Sequence, residues 1–207
     1  MIRRVTFASC YVYSPRGAGA TSQRSRLLRK LLKAGDERFI LKYAIRVRQQ
    51  VNEDAVLAGF LDPGHVLVPV PGSAPAVAGV VTVPEHLALA LIEAGIGQDI
   101  WKGLYRIRPV RKSATSPPRS RPTVRTHYES FSVAAAVPPR IVLIDDVVTK
   151  GRTLLAAAAR LKDASPDSEI RAFALLRTMG RAGGVERLLN PCVGEIRWKA
   201  GDAYRNP

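Results

Sequence analysis

The sequence is poor in cysteine and contains no long apolar run. Only two cysteines occur in its 207 residues, Cys10 and Cys192, and neither lies in a CxxC or Cys/His spacing. This excludes a disulfide framework and a structural zinc site, and it is typical of a protein of the reducing cytoplasm. Polar side chains interrupt the stretch after the basic start, so we expect no signal peptide. Because no run of 18 apolar residues exists, the sequence predicts no membrane-spanning helix, and we expect no membrane partner.

Acidic residues are also scarce, and this leaves a large positive charge. The chain has 17 Asp and Glu against 32 Lys and Arg, a formal net charge of +15. Residues 1–50 carry 12 basic and two acidic side chains, and residues 101–128 carry eight basic side chains and no acidic one. Such an excess favours a polyanionic partner, either nucleic acid or a multiply phosphorylated small molecule. The alternative is a basic but merely solvated surface.

Apolar runs and helical patterns alternate along the chain. Runs typical of strands occupy residues 5–13, 66–70, 141–144 and 170–176, and apolar residues recur at helical spacing over residues 22–35, 39–51, 84–95 and 153–163. Strands that are apolar along their whole length predict a parallel sheet covered on both faces, and thus an α/β fold. We expect one domain, residues 1–207, with a basic N-terminal strand and helical region (1–60), a ligand-binding core (61–180) and a C-terminal tail (181–207).

The stretch after the strand Ile141–Ile144 carries the clearest chemistry. Two carboxylates, Asp145 and Asp146, follow directly, and open α/β sheets bind ligands where their parallel strands end. Next come a short loop and the start of a helix, with the residues Thr149, Lys150, Gly151, Arg152 and Thr153. Free backbone N–H groups and the helix end suit a phosphate, and paired carboxylates suit vicinal hydroxyls. The pattern therefore predicts a sugar phosphate site.

These residues resemble the signature of the type I phosphoribosyltransferases: an apolar strand, two acids, two residues, then Thr-x-Gly-x-Thr. The resemblance implies a three-layer sandwich around a mostly parallel sheet and a ligand, 5-phosphoribosyl-1-pyrophosphate (PRPP). It implies that Asp145 and Asp146 hold the ribose hydroxyls as catalytic residues. It implies that Thr149, Lys150, Gly151, Arg152 and Thr153 hold the 5′-phosphate. The basic residues at positions 150 and 152 depart from the small or polar residues common in that family.

Two further segments resemble the family between residues 60 and 180. Val68-Pro69-Val70-Pro71-Gly72-Ser73 is similar to the pyrophosphate loop of its competence-associated ComF-like branch, which implies that Pro71, Gly72 and Ser73 bind pyrophosphate. The alternative is a proline-stiffened turn. Residues 106–128 stand where the family has its flexible catalytic loop, and we expect a long mobile segment there. The candidates to close over pyrophosphate are Arg108, Arg111, Lys112 and Arg121, although a solvated role for most of them is the alternative. The resemblance implies Mg²⁺ carried by PRPP, with Asp145 or Asp146 reaching it through water and no direct protein ligand.

The sequence leaves two functions open. One is an enzyme that transfers a phosphoribosyl group to a nitrogen nucleophile and releases pyrophosphate. The other is a non-catalytic module of the same fold that acts in DNA uptake, DNA processing or regulation through non-specific DNA binding. Cys10 does not match the N-terminal nucleophile of glutamine-dependent relatives, and the three histidines show no triad or metal spacing, which favours structural or surface roles. The acceptor and the oligomeric state, for which a homodimer is one alternative, stay open.

Overall fold

A seven-stranded, mostly parallel sheet forms the centre of the protein in a computed structural model that describes residues 2–111, 120–180 and 185–207. The strand order is β3-β2-β6-β7-β1-β8-β9, and a separate two-stranded sheet pairs β4 with β5. The strands are β1 (Arg4–Tyr13), β2 (Val66–Pro69), β3 (Asp99–Ile100), β4 (Leu104–Arg106), β5 (Phe131–Val133), β6 (Arg140–Val148), β7 (Glu169–Thr178), β8 (Leu189–Lys199) and β9 (Asp202–Asn206). The first five strands of the central sheet are parallel, whereas β8 and β9 are antiparallel to their neighbours.

Helices accompany these strands, and the sequence shows why several of them begin and end where they do. Those in the described residues are α1 (Ala20–Ala34), α2 (Glu37–Glu53), α3 (Ala55–Phe60), α4 (Val83–Glu93), α5 (Val124–Ser130) and α6 (Arg152–Ala164). Gly35 ends α1 in the left-handed conformation, and the Asp36 side chain then caps α2 by accepting the Phe39 N–H at 2.7 Å. Within the described ranges, no helix combines the length and the apolar character needed to cross a membrane.

Two apolar clusters lie on opposite faces of the sheet. Val142 and Ile144 of β6 belong to the cluster that includes residues of α1, α2 and α4, whereas Ile141 and Leu143 belong to the cluster under α5 and α6. This alternation is the two-residue period of a strand covered on both faces. The α/β class and the mostly parallel sheet predicted from the sequence are therefore confirmed.

The C-terminal residues do not form the predicted tail. Residues 189–206 contain β8 and β9, which extend the sheet beside β1, with Ile196 of β8 opposite Val5 of β1. Ile196 and Ala203 of this hairpin are buried in the second cluster. The sequence did not indicate this hairpin because its apolar residues are interspersed with polar and charged ones and form no continuous run.

The basic segment 106–128 is more structured than the sequence predicts. Arg106 lies in β4, which pairs with β5, and α5 begins at Val124. The N–H of Ile107 donates to the Ser130 carbonyl at 3.0 Å, and this hydrogen bond joins the start of the segment to the end of α5. The expectation of a long unpacked loop is therefore wrong for both ends of this segment. Residues 112–119 lie outside the described residues.

Candidate functional site

The two adjacent acids lie inside β6 rather than after it. The strand continues four residues past Ile144, to Val148, and it pairs with β7 along that extension. Successive side chains of a strand point to opposite faces. Asp145 therefore belongs to the face of α5 and α6, and Asp146 belongs to the face of α1. The carboxylates are neighbours, but each approaches the site from its own side of the sheet.

The environments of the two acids differ in charge. Asp146 is nearly buried, and its Oδ2 atom lies 2.5 Å from Lys33 Nζ at the end of α1. The Asp146 N–H donates to Asp145 Oδ1 at 2.8 Å. Burial, and then the nearby Asp146 carboxylate, raise the pKa of Asp145 well above its usual value. The pair therefore offers one carboxylate held by a lysine and one carboxyl group that resists ionisation.

Asp145→Asn should stabilise the protein at neutral pH. A raised pKa in the folded state means that the stability from Asp145 is fully present below its unfolded value near 3.8 and is lost as the pH rises through the folded value. Because asparagine is never charged, we expect Tm at pH 7 to rise by roughly 2–6 °C, and this gain should shrink toward pH 4. Calorimetric melting across that pH range measures it. Asp167→Asn, at an exposed position, is the control, and an equal gain in both variants would contradict the assignment.

The loop after β2 lies next to these acids because β2 pairs with β6. Pro69 is opposite Ile144, and the Val70 N–H donates to the Ile144 carbonyl at 2.9 Å. In the following loop, the Gly72 carbonyl accepts a hydrogen bond from Arg106 Nε, and the Ser73 carbonyl accepts one from the Val110 N–H. The carbonyl and the N–H of a trans peptide point in opposite directions. The two bound carbonyls therefore turn the N–H groups of Ser73 and Ala74 the other way, an arrangement that suits an anion.

Arg106 is the main site residue that the sequence analysis missed. Its guanidinium is buried, also donates to Ser130 Oγ and His127 Nδ1, and stacks on the Phe131 ring at 4.3 Å from the centroid. Burial lowers the pKa of Arg106 to about 10, against the opposing effect of the Asp145 carboxylate. Eight cations in residues 101–128 looked alike in the sequence. The one signal for Arg106 was its place at the end of an apolar, strand-like segment.

His127 links the two predicted anion loops, a structural role of the kind that the sequence analysis expects for the histidines. It is buried on α5, and its Nδ1 lies 3.2 Å from Arg106 Nη2. An arginine only donates, so Nδ1 accepts and the hydrogen of the neutral ring is on Nε2. Nε2 lies 3.5 Å from Thr153 Oγ1. Burial, and then Arg106 and Arg152, lower the pKa of His127 to about 4, so this bridge between the two predicted anion loops is neutral at pH 7.

The loop from Thr149 to Thr153 forms a tight turn into α6. Gly151 is the N-terminal cap of α6 and has φ +82°, a conformation that favours glycine. The first N–H groups of α6 have no partner within the helix, and the cap residue has no side chain to bind them. Arg205 of β9 donates to the Thr149 carbonyl at 2.8 Å, and the Thr149 hydroxyl lies 3.0 Å from that of Thr178. The predicted phosphate loop is therefore held from β7 and β9.

Lys150 and Arg152 are engaged by a carboxylate rather than by the acids of β6. Lys150 Nζ lies 2.9 Å from Asp202 Oδ2. Arg152 holds both oxygens of the same carboxylate, Oδ1 from Nε at 2.5 Å and Oδ2 from Nη2 at 2.7 Å. The hydrogen bond from Arg152, together with that from Lys150, keeps the pKa of Asp202 far below its usual range. The structure therefore does not gather these two cations with Asp145 and Asp146.

The cations proposed to close over pyrophosphate have different environments. Arg108 Nη2 lies 3.2 Å from Glu129 Oε2, so this side chain is held on α5. Arg111 and Arg121 are exposed, and they stand on either side of residues 112–119 in the sequence. Lys112 lies outside the described residues. In the described part of the chain, no group of three or more His, Cys, Asp or Glu side chains is placed to hold a metal ion.

The arrangement joins a pair of carboxyl groups, a loop with outward N–H groups and a neutral histidine bridge to a second anion loop. Carboxylates accept hydrogen bonds from hydroxyls, and free N–H groups at loops and helix ends bind phosphates. A sugar that carries phosphate at two positions matches this set of groups. In comparisons with known proteins, no family model matches the chain and no curated protein matches it. The residues themselves therefore carry the argument for function.

Proposed function

We propose that the protein binds PRPP and transfers its phosphoribosyl group to a nitrogen nucleophile. In this reaction the anomeric C–O bond breaks, pyrophosphate departs with the electron pair, and a C–N bond forms. The mostly parallel α/β sheet with apolar clusters on both faces is compatible with the three-layer fold of the type I phosphoribosyltransferases, and we propose that fold. The motif from Ile141 to Thr153, read on this architecture, supports the assignment.

One observation carries the proposal: the adjacent side chains Asp145 and Asp146 lie beside the loop after β2, and Arg106 interacts both with that loop and with Asp145. Its guanidinium binds the Gly72 carbonyl and interacts electrostatically with Asp145. In the proposed complex, Asp145 and Asp146 accept hydrogen bonds from the ribose hydroxyls. The N–H groups of Ser73 and Ala74 bind the pyrophosphate, and the backbone at the start of α6 binds the 5′-phosphate.

Mg²⁺ fits this proposal as a companion of the substrate. It commonly binds through substrate phosphates and one or two carboxylates while keeping several waters, so a dedicated protein cage is not required. Asp145 or Asp146 would reach it through water. Bound to pyrophosphate, Mg²⁺ would neutralise the charge of the leaving group. Lys33, whose Nζ lies 2.5 Å from Asp146 Oδ2, would contribute by fixing the position of that carboxylate.

Release of pyrophosphate tests the catalytic part of the proposal. The wild-type protein with PRPP and Mg²⁺ is incubated with ammonia and with a panel of purine and pyrimidine bases, and pyrophosphate is quantified over time. We expect release that depends on one acceptor and stops when EDTA removes Mg²⁺. Tight PRPP binding without acceptor-dependent release would contradict the enzyme and favour the non-catalytic module.

The exposed face of α2 favours DNA binding as a second candidate function. Arg38, Lys42 and Arg46 recur at four-residue spacing, so they form one stripe along the helix, and all three are exposed. They line an open depression together with Leu41, Ile45 and Gln49. The Arg46 guanidinium stacks on the Tyr43 ring at 5.1 Å from the centroid. A row of cations at this spacing can track the phosphates of a nucleic acid.

We expect the protein to bind DNA without sequence preference and with strong salt dependence. Fluorescence anisotropy with single-stranded and duplex DNA, each between about 50 and 200 mM salt, measures this. The triple variant Arg38→Gln, Lys42→Gln and Arg46→Gln should lower the slope of log K against log salt for duplex DNA by roughly 2–3. Changing Arg187, Arg197 and Lys199 to Gln removes the same charge at exposed positions outside residues 1–50 and 101–128 and is the control. Equal slopes in the two triple variants, or no binding at the lowest salt, would contradict this function.

A further inference from the structure

The C-terminal hairpin supplies a carboxylate to the predicted phosphate loop. Asp202, at the start of β9, holds the side chains of Lys150 and Arg152 through contacts of 2.5–2.9 Å. The Asp202 side chain is about one third exposed, and its Oδ1 also accepts from the Ala203 N–H at 2.8 Å. The carboxylate therefore has a fixed position beside the two cations. The Asp202 carboxylate thus contacts the Arg152 guanidinium and the Lys150 ammonium group in the way that phosphate oxygens would.

The backbone of the same loop is held independently of these cations. Arg205 binds the Thr149 carbonyl, and it also donates to the Thr178 carbonyl at 2.6 Å. The Thr149 carbonyl and the Lys150 N–H belong to one trans peptide and point in opposite directions. Because Arg205 binds the carbonyl, the Lys150 N–H points away from Arg205. The loop thus presents N–H groups to an anion while its two cationic side chains are occupied.

We propose that Asp202 competes with the ligand phosphate for Lys150 and Arg152 and thereby sets the anion affinity of the loop. This inference rests on the proposed function, because it takes the loop from Thr149 to Thr153 to be the phosphate site. With Asp202 present, the backbone and the helix end hold the phosphate, and the two cations contribute little. A loop of this kind selects for the shape of a phosphate monoester more than for total negative charge.

Asp202→Asn tests the competition. It frees Lys150 and Arg152, so we expect affinity for ribose 5-phosphate to rise roughly threefold to tenfold and its salt dependence to steepen. In the double variant Asp202→Asn with Lys150→Ala, most of that gain should disappear, whereas Lys150→Ala alone should change affinity less than twofold. Isothermal titration calorimetry measures all four proteins, and their melting curves show that each is folded.

Glu195→Gln is the matched control. Glu195 lies on β8 of the same hairpin, is similarly half-buried, and pairs with Arg4 and Arg197 rather than with the loop. It changes the net charge by the same amount, so any general effect of charge appears in both variants. Equal affinities for Asp202→Asn and Glu195→Gln would overturn the proposal. Weaker binding by Asp202→Asn would also overturn it, since the carboxylate would then be orienting the cations as ligands.

Inorganic phosphate separates this inference from the proposed function. If the wild-type protein fails to bind ribose 5-phosphate or PRPP, the proposed function is wrong. The competition is then tested with inorganic phosphate alone, which the Asp202→Asn protein should bind more tightly than the Glu195→Gln protein does. Equal binding of inorganic phosphate by the two variants would overturn the competition as well.

Discussion

Gly151→Val should destabilise the fold by about 3–5 kcal/mol, through backbone strain and overcrowding together. At φ +82°, a β-branched residue is strained whatever its surroundings. A Cβ at this position would also lie only 2.6–2.7 Å from three side-chain atoms of Ile196, which is fully buried in the second cluster. Urea unfolding measures the change in free energy. The substituent would thus enter the core, and it would not stand in the ligand site.

Gly95→Ala separates strain from crowding. Gly95 has φ +79°, and a Cβ at this position would have no other atom within 4 Å, so alanine there carries the backbone strain alone. Gly151→Ala should therefore be more destabilising than Gly95→Ala by at least about 1 kcal/mol. Adding Ile196→Ala to Gly151→Ala should recover part of that difference, as two residues in contact do in a double-mutant cycle. Equal effects at the two glycines would show that the loop does not pack on β8.

Arg106→Met should lower affinity for pyrophosphate at least tenfold, although residue 106 is not expected to touch it. Methionine keeps much of the buried volume but leaves the Gly72 carbonyl free to turn, and the N–H of Ser73 turns with it. Loss of one or two oriented hydrogen bonds to an anion corresponds to roughly 1.5–3 kcal/mol. The pKa of His127 should rise in the same variant, because the Arg106 charge is the second cause, after burial, that lowers it to about 4. Calorimetry and NMR titration of the histidine rings measure the two effects.

Arg108→Met provides the matched control for this change. Arg108 lies two residues further on, and its partner is Glu129 on the surface of α5. The Arg108→Met substitution should leave both the pyrophosphate affinity and the pKa of His127 close to their wild-type values. Arg106→Lys keeps the charge, but an ammonium group cannot reach Gly72, Ser130 and His127 together, so it should restore only part of the affinity. A larger loss from Arg108→Met than from Arg106→Met would contradict the positioning role of Arg106.

The sequence predicted the elements whose signals are local. The run Ile141–Ile144 is apolar at every position because both faces of β6 are covered, and Gly35 marked the end of α1 because only glycine readily adopts φ +75° there. The α/β class and the strand that leads into Asp145 and Asp146 followed from such patterns. The continuation of β6 to Val148 did not, because two adjacent acids look like the end of a strand.

The features that the sequence did not predict depend on contacts between distant segments. Asp202 lies about 50 residues from Lys150 and Arg152, and nothing in its local sequence indicates that it binds them. Likewise, Arg106 differs from its basic neighbours only because α5 and β5 bury it beside Phe131 and His127. Charge counts over a segment treat these side chains as equivalent. Only the fold separates a cation that orients a loop from one that faces water.

Titration of the wild-type protein with PRPP in the presence of Mg²⁺, compared with Asp145→Asn and Asp146→Asn, tests the central claim most directly. If these carboxyl groups hold the ribose hydroxyls beside the two anion loops, the wild-type protein binds PRPP. Each variant should then bind it more weakly by about 1–3 kcal/mol, because hydroxyls of the ribose would face an incomplete clamp. Melting curves confirm that both variants are folded, and inorganic pyrophosphate, which lacks the ribose, should bind to them nearly as well as to the wild type. Wild-type affinity for PRPP in both variants would contradict the account.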